Sequence, residues 1–161
     1  MTDYSGIELI DLAKLIESAG EEFYGAALEH LKDGALRSLF VHLQAEERRH
    51  THTFELLLEG LEESSEEWRV SEDYLAYMRA LAADRVFPGS SAAKAAVGQI
   101  KCEADAINFA LRFEKDTVLY FHELRPAVRE EDQGLIDMLV AEERKHITKL
   151  HAALRQLQEP A

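Results

Sequence analysis

Four stretches of the chain repeat apolar residues at alternating steps of three and four, the spacing that gathers side chains on one face of an α-helix. The first stripe reads Ile10, Ala13, Glu17, Gly20, Tyr24, Ala27, Leu31, and the second Leu36, Phe40, Leu43, Glu47, His50, Phe54, Leu57, Leu61. The third reads Ile107, Leu111, Glu114, Val118, Phe121, and the fourth Ile136, Leu139, Glu143, His146, Leu150, Ala153, Leu157. Alternating β-branched and aromatic runs are absent, and Ala, Leu and Glu dominate, so strand signals are weak. The pattern predicts a helix from near Ser5, with Glu8 as capping-box partner, to about Leu31, ended by the C-cap pair Asp33-Gly34. A second runs from about Ala35 to Glu62, and the short turn between them makes the two antiparallel neighbours. Beyond the acidic run Glu62-Glu63-Ser64-Ser65-Glu66-Glu67, Ser71 caps a shorter helix over Glu72 to Val86, which Pro88-Gly89-Ser90-Ser91 ends. The third long helix is predicted from near Ala92 to Val128, with Gly98 and Pro126 as irregularities, and the fourth from about Glu131 to Leu157. The expected fold is all-α: a four-helix bundle whose long crossover carries a short extra helix, with Trp68 anchoring that crossover.

Every stripe is apolar apart from one glutamate near mid-helix, and the second and fourth add a histidine three residues later. Packing the stripes together brings four carboxylates and two imidazoles to a common level inside an apolar shell. Buried charges of one sign cost several kcal/mol each unless something compensates them. Two divalent cations would neutralise four carboxylates with no charge left over, which points to a dinuclear metal site. With 22 Glu and 7 His in the chain, chance alone gives about one Glu-x-x-His pair, so the placement of both pairs on the stripes carries the signal. The competing reading is a bundle with a satisfied buried polar network.

The chain also repeats itself. Ala45-Glu46-Glu47-Arg48-Arg49-His50 is echoed by Ala141-Glu142-Glu143-Arg144-Lys145-His146, and Glu17 precedes Glu47 by 30 residues where Glu114 precedes Glu143 by 29. Each half is a helical hairpin supplying three ligands, and a pseudo-twofold arrangement follows if the halves face each other.

Composition narrows the chemistry. The 161 residues suit one domain spanning 1–161, and 3 Pro and 8 Gly describe a folded chain. A net charge of -13 argues against general nucleic-acid binding and against anionic membrane surfaces. One cysteine, Cys102, excludes an internal disulfide and any Cys-based zinc or rubredoxin-type iron site; it reads as a packed thiol. The start, Met-Thr-Asp-Tyr-Ser-Gly-Ile-Glu, shows no basic stretch followed by an apolar run, and no window approaches the roughly 20 apolar residues of a membrane span, so a cytoplasmic protein is the expectation.

A single Glu on one helix followed by Glu-x-x-His on the next, occurring twice, resembles the ferritin-like di-iron carboxylate proteins. Within that group the chain from about residue 7 to 154 is similar to a rubrerythrin-type domain, on the Glu-Glu-Arg-Arg-His and Glu-Glu-Arg-Lys-His blocks and the stretch Leu111-Arg112-Phe113-Glu114-Lys115-Asp116. The resemblance implies that Glu17 and Glu114 are terminal carboxylates and that Glu47 and Glu143 bridge two iron ions, manganese being the other candidate. His50 then belongs to the Glu17 metal and His146 to the Glu114 metal, and these six residues are at once ligands and catalytic groups. The resemblance also gives Glu46 and Glu142 a role, each accepting the free ring N–H of the opposite histidine; their competing reading is ordinary surface charge. Two departures matter: the chain has no rubredoxin module, and Thr117 holds the place of a further glutamate one turn after the third-helix ligand. The implied ligand set is therefore the six-residue one of bacterioferritins.

Tyr24, seven residues after Glu17 on the same stripe, is read as core, close enough to bond a ligand, while Phe121 holds the equivalent place in the second half. His30, His42, His52, His122 and His151 have no stripe position with Glu three residues before them and read as surface or outer-layer residues. The leading function is an oxidoreductase that reduces hydrogen peroxide or dioxygen at a dinuclear iron centre, supplied by an external electron donor. The alternative is ferroxidase activity in iron storage or detoxification, and a third is a binding or scaffold protein that uses the fold without metal. A homodimer or higher homo-oligomer is expected.

Overall fold

A computed structural model describes residues 3–63, 68–83 and 90–159. The chain is all-α, with helices α1 (Ile7–Ala27), α2 (Gly34–Glu63), α3 (Glu72–Ala83), α4 (Ser90–Val97), α5 (Glu103–Leu124) and α6 (Glu130–Gln158). Helices α1, α2, α5 and α6 form the bundle, built as two hairpins, α1–α2 and α5–α6. The crossover passes through α3 and α4, both of which pack on α1. The first two stripes are buried along their whole length; the fourth is buried from Ile136 to Leu150, and Leu157 in its last turn is 40% exposed.

Three expectations change. No glycine among the described residues has a positive φ, so Gly34 is no C-cap: it is the first residue of α2. Asp33 instead caps α2, its Oδ1 accepting the Leu36 amide at 2.8 Å. Helix α1 begins beyond Ser5, with Gly6 as its N-cap, and Glu8 makes no capping box: its carboxylate takes the Arg79 guanidinium of α3 at 2.7 Å. The long third helix is interrupted between Gly98 and Cys102, where Cys102 is extended (φ −148°, ψ 167°). Asp105 makes the restart favourable by accepting the amides of Lys101 and Cys102 at 3.0 and 3.2 Å, which a continuous helix would have bonded internally. A 3-10 turn at Arg125–Ala127, containing Pro126, ends α5 before Val128, because proline supplies no amide to carry the helix on. The part of the short helix predicted from Asp84 to Val86, and its terminator at Pro88-Gly89, lie outside the described residues.

The sequence also carries a piece of sheet that no alternation announced. Strands β1 (Asp3–Ser5) and β2 (Arg69–Ser71) pair antiparallel, with Tyr4 opposite Val70. Three residues are too few to show a period of two. The Gly6 amide extends the ladder to the Trp68 carbonyl at 2.9 Å, and the half-buried indole lies against Gly6 where any Cβ would meet the ring. Trp68 thus anchors the crossover to the start of α1, as expected. The two hairpin turns are held by charged side chains: Glu103 accepts the amides of Lys32 and Asp33 at 2.6 and 2.7 Å, and Arg125 grips Asp137 at 2.8 Å.

Near the start of α1, a buried bond from the Tyr120 hydroxyl to the Leu9 carbonyl at 2.9 Å ties α1 to α5. Tyr120→Phe removes that bond while the Leu9 carbonyl keeps its helical partner, and the expected cost is about 0.5–1.5 kcal/mol, read as a lower midpoint with unchanged slope in urea unfolding.

Candidate metal centre

Each bundle helix brings its polar residues to the same depth. Glu17 comes from α1, Glu47 and His50 from α2, Glu114 from α5, and Glu143 and His146 from α6, and all six are buried to 2% exposure or less. Ligand atoms of Glu17, Glu47, His50 and Glu143 lie within 4.8 Å of one another, and so do those of Glu47, Glu114, Glu143 and His146. The two groups share Glu47 and Glu143. Each histidine turns Nδ1 inward: His50 Nδ1 lies 3.0 Å from Glu17 and 2.6 Å from Glu143, and His146 Nδ1 lies 2.9 Å from Glu143 and 3.5 Å from Glu114. The imidazoles are nearly parallel, 5.7 Å between centroids.

Apolar layers close the site along the bundle axis. Tyr24 packs edge-on against Phe40 at 5.2 Å, one to two turns to one side, and Phe54 meets Phe121 at 5.4 Å to the other. Gly20 faces the centre from α1 and makes room for it: a Cβ there would lie 2.6 Å from Glu47 Oε2 and from the Phe113 ring. The Tyr24 hydroxyl donates to Glu114 Oε1, so this residue is both core and a partner of the cluster. Thr117 is buried one turn beyond Glu114 and adds no carboxylate.

The electrostatics are those of a site short of positive charge. Burial, then the charges of Glu17, Glu143 and Glu114, push the Glu47 carboxyl well above its ordinary value. Burial and Glu143 raise Glu114 to about 7 against the pull of His146. Burial alone would lower both imidazoles, but the carboxylates prevail: Glu143 and Glu17 hold His50 up at about 12, and Glu114, Glu143 and Glu47 raise His146. Burial and Glu17 press upward on Glu143, yet the His146 and His50 imidazoles beside it, 2.9 and 2.6 Å away, hold it below the usual carboxylate range. Burial, with Glu114 and Glu47, raises the Tyr24 hydroxyl. Six carboxylate oxygens (Glu17 Oε1, both of Glu47, Glu114 Oε2, both of Glu143) and His146 Nδ1 are buried without a hydrogen-bond partner. Orphaned atoms of this kind cost free energy unless something positive meets them. Oxygen and imidazole donors without thiolate suit iron or manganese, and the donor set fits two such ions.

Around the six, the two halves part company. His50 Nε2 bonds Glu142 at 2.8 Å, the role that the family resemblance implied for this glutamate. Glu46 does not reciprocate with His146: its carboxylate accepts Arg49 at 2.7 Å, and the same guanidinium reaches Glu142 at 3.1 Å. Arg49 could not be singled out from sequence, since a basic residue before the motif histidine reads as solvated surface. The histidines at 30, 42, 52, 122 and 151 are all exposed, as is Cys102, which is not packed.

No protein-family model and no curated protein matches the sequence. A crystal structure from Thermotoga maritima, provisionally described as a ferritin-like diiron-carboxylate protein, is similar over 96% of this chain and 97% of that one, with a TM-score of 0.73 and 21% identity. The likeness establishes a ferritin-like fold. No helix among the described residues is long and apolar enough to cross a membrane.

Two outcomes follow. Alanine in place of a helical glycine ordinarily gains about 1 kcal/mol, but Gly20→Ala must displace Glu47 or Phe113; the expected result is metal binding at least about tenfold weaker by equilibrium dialysis, with no rise in melting temperature. Glu114, with its pKa raised from 4.5 to about 7, contributes stability that is fully present below pH 4.5 and lost as pH rises through about 7, and Glu47 acts in the same sense. Glu143, held low, opposes this only as pH falls below its ordinary value. Chelator-treated protein is therefore expected to melt at a lower temperature near about pH 7.5 than near about pH 5.5, and added Fe(II) to remove most of that difference.

Proposed function

We propose that the chain is a dinuclear iron protein acting as an oxidoreductase, with hydrogen peroxide or dioxygen as the electron acceptor and an external reductant. The observation that carries the reading is the sharing of Glu47 and Glu143 between two overlapping ligand groups, each completed by one terminal glutamate and one histidine. When bound, two iron ions would supply two-electron redox chemistry toward an oxygen substrate. Glu17 and His50 would hold one ion and Glu114 and His146 the other, with Glu47 and Glu143 between them.

The protein's own groups set the conditions. The four carboxylates balance two divalent charges, so loading the centre releases the protons the cluster otherwise retains on Glu47, Glu114 and the imidazoles. The Tyr24–Phe40 and Phe54–Phe121 layers exclude bulk water from both ends of the centre, which strengthens every electrostatic contact inside it. Tyr24 stays protonated and points its hydroxyl at Glu114 Oε1, where it orients that carboxylate and holds a proton at the edge of the cluster. Glu142, partly exposed, is bonded to His50 Nε2 and connects the buried ring to the surface.

The test is an anaerobic Fe(II) titration followed by peroxide or air. Saturation at two ions per chain with an optical change on oxidation is expected, and Glu47→Ala and Glu143→Ala should each lose both tightly bound ions. A variant of either kind that keeps two tight ions removes the shared-ligand assignment. Fe(III) released in proportion to oxidant consumed, without turnover of a reductant, would make iron oxidation the activity instead.

A further inference from the structure

The two halves of the site are related by the internal repeat, yet the residues behind the ligands differ, and they differ in the same direction on both sides. In the first half the outer nitrogen of His50 is anchored. Its partner Glu142 is itself gripped by Arg49, whose guanidinium spans Glu142 at 3.1 Å and Glu46 at 2.7 Å and so bridges α2 and α6 over the buried ring. In the second half the position of Arg49 is taken by Lys145, which is exposed, and the carboxylates that meet His146, those of Glu47, Glu114 and Glu143, all face its Nδ1. Glu46, which the repeat would bring to the outer nitrogen of that ring, is held by Arg49 instead.

The terminal carboxylates diverge too. Tyr24 donates its hydroxyl to Glu114 Oε1 and so draws charge from one of the two oxygens that side can offer. The residue equivalent to Tyr24 in the second half is Phe121, which has no hydroxyl to give Glu17. Glu17 Oε1 is free of any hydrogen bond, and its Oε2 faces only the imidazole of its own half.

We propose that Arg49 is a positioning residue which, through Glu142, fixes His50 with Nδ1 toward Glu17, and that the two metal positions are therefore unequal: the Glu17–His50 position binds first and holds tightest, and the Glu114–His146 position is the exchanging one. This rests on the dinuclear reading above. The physical basis is preorganisation. A ring whose outer N–H is already bonded to a fixed carboxylate presents one tautomer and one orientation, and it loses less freedom on taking a metal than a ring without that restraint. Removing such an outer partner typically costs about 10- to 100-fold in metal affinity. Arg49 suits the task because a planar guanidinium can serve two carboxylates at once, where the lysine at 145 offers only a point charge.

The experiment is calorimetric titration of the full chain with Co(II), a redox-inert probe for oxygen and imidazole ligands, with its visible absorption recorded in parallel. The native protein should give two resolved steps. His50→Ala should delete the tight step and His146→Ala the weak one. Arg49→Met should weaken the tight step by about 10- to 100-fold and leave the weak step where it is, while Lys145→Met moves neither. Tyr24→Phe should strengthen the weak step alone. Because Arg49 is half exposed, Arg49→Met should leave the melting temperature of chelator-treated protein unchanged, so a general loss of stability would not mimic the result. Two indistinguishable steps in the native protein, equal weakening of both steps by Arg49→Met, or loss of the tight step in His146→Ala would overturn the proposal. Absence of any Co(II) or Fe(II) binding would instead remove the dinuclear reading on which it stands.

Discussion

Four glutamates buried at one level of an apolar bundle are the constraint around which the rest of this structure is arranged. Like charges at such separations in a low-dielectric interior repel by several kcal/mol, and no hydrophobic contact nearby can offset that locally. The chain supplies partial relief from its own residues: two imidazoles drawn among the carboxylates, a tyrosine hydroxyl on Glu114, and protons retained by Glu47 and Glu114. It does not complete the job, because six carboxylate oxygens remain without a hydrogen-bond donor. Cations that take oxygen and nitrogen ligands would complete it, and the cost of burying the carboxylates unpaired would then favour their binding.

That constraint explains features that would otherwise look incidental. A glycine in mid-helix is unfavourable by propensity, yet Gly20 is needed where α1 passes the Glu47 carboxylate and the Phe113 ring. The aromatic layers above and below are large and rigid, as a site requires if its charges are to stay out of water. The interruption between α4 and α5 ends at the Asp105-capped start of α5, the helix that carries Glu114 to the level of the other ligands. The same restart places Glu103 where its carboxylate accepts the Lys32 and Asp33 amides, tying the crossover's end to the first hairpin's turn.

The stripes made the bundle and the six polar residues legible because both depend on a period that sequence displays directly: a step of three or four places a residue on the buried face whatever its neighbours are. The first two stripes are buried throughout, glutamates and histidine included. What the sequence could not show depends on partners far along the chain. Glu8 sits where a capping box would use it, but Arg79 on α3 is a stronger attraction for its carboxylate than the helix amide. Gly34 follows Asp33 as a C-cap glycine should, yet the aspartate turns forward to cap α2. The break before α5 is written in Gly98 and Asp105, two residues that a helix tolerates singly, and only the pairing of Asp105 with the Lys101 and Cys102 amides makes it a new start. Arg49 reads as surface from every local pattern, and its meaning appears only when α6 brings Glu142 beside it.

A duplicated hairpin offers symmetry at the level of the ligands, where the chemistry of holding two like ions demands it. One residue out, the demand is weaker and the halves are free to differ. Tyr24 against Phe121 and Arg49 against Lys145 are such differences, and neither disturbs the buried stripe, since each keeps the bulk or charge its position needs. Their effect falls on how firmly each histidine and each terminal carboxylate is held. Two identical positions would share one intrinsic affinity, whereas a firmly held and a loosely held position would let one ion stay in place while the other responds to its surroundings. On the proposed dinuclear reading, the asymmetry behind the ligands is the feature that would let this bundle retain one metal while exchanging the other.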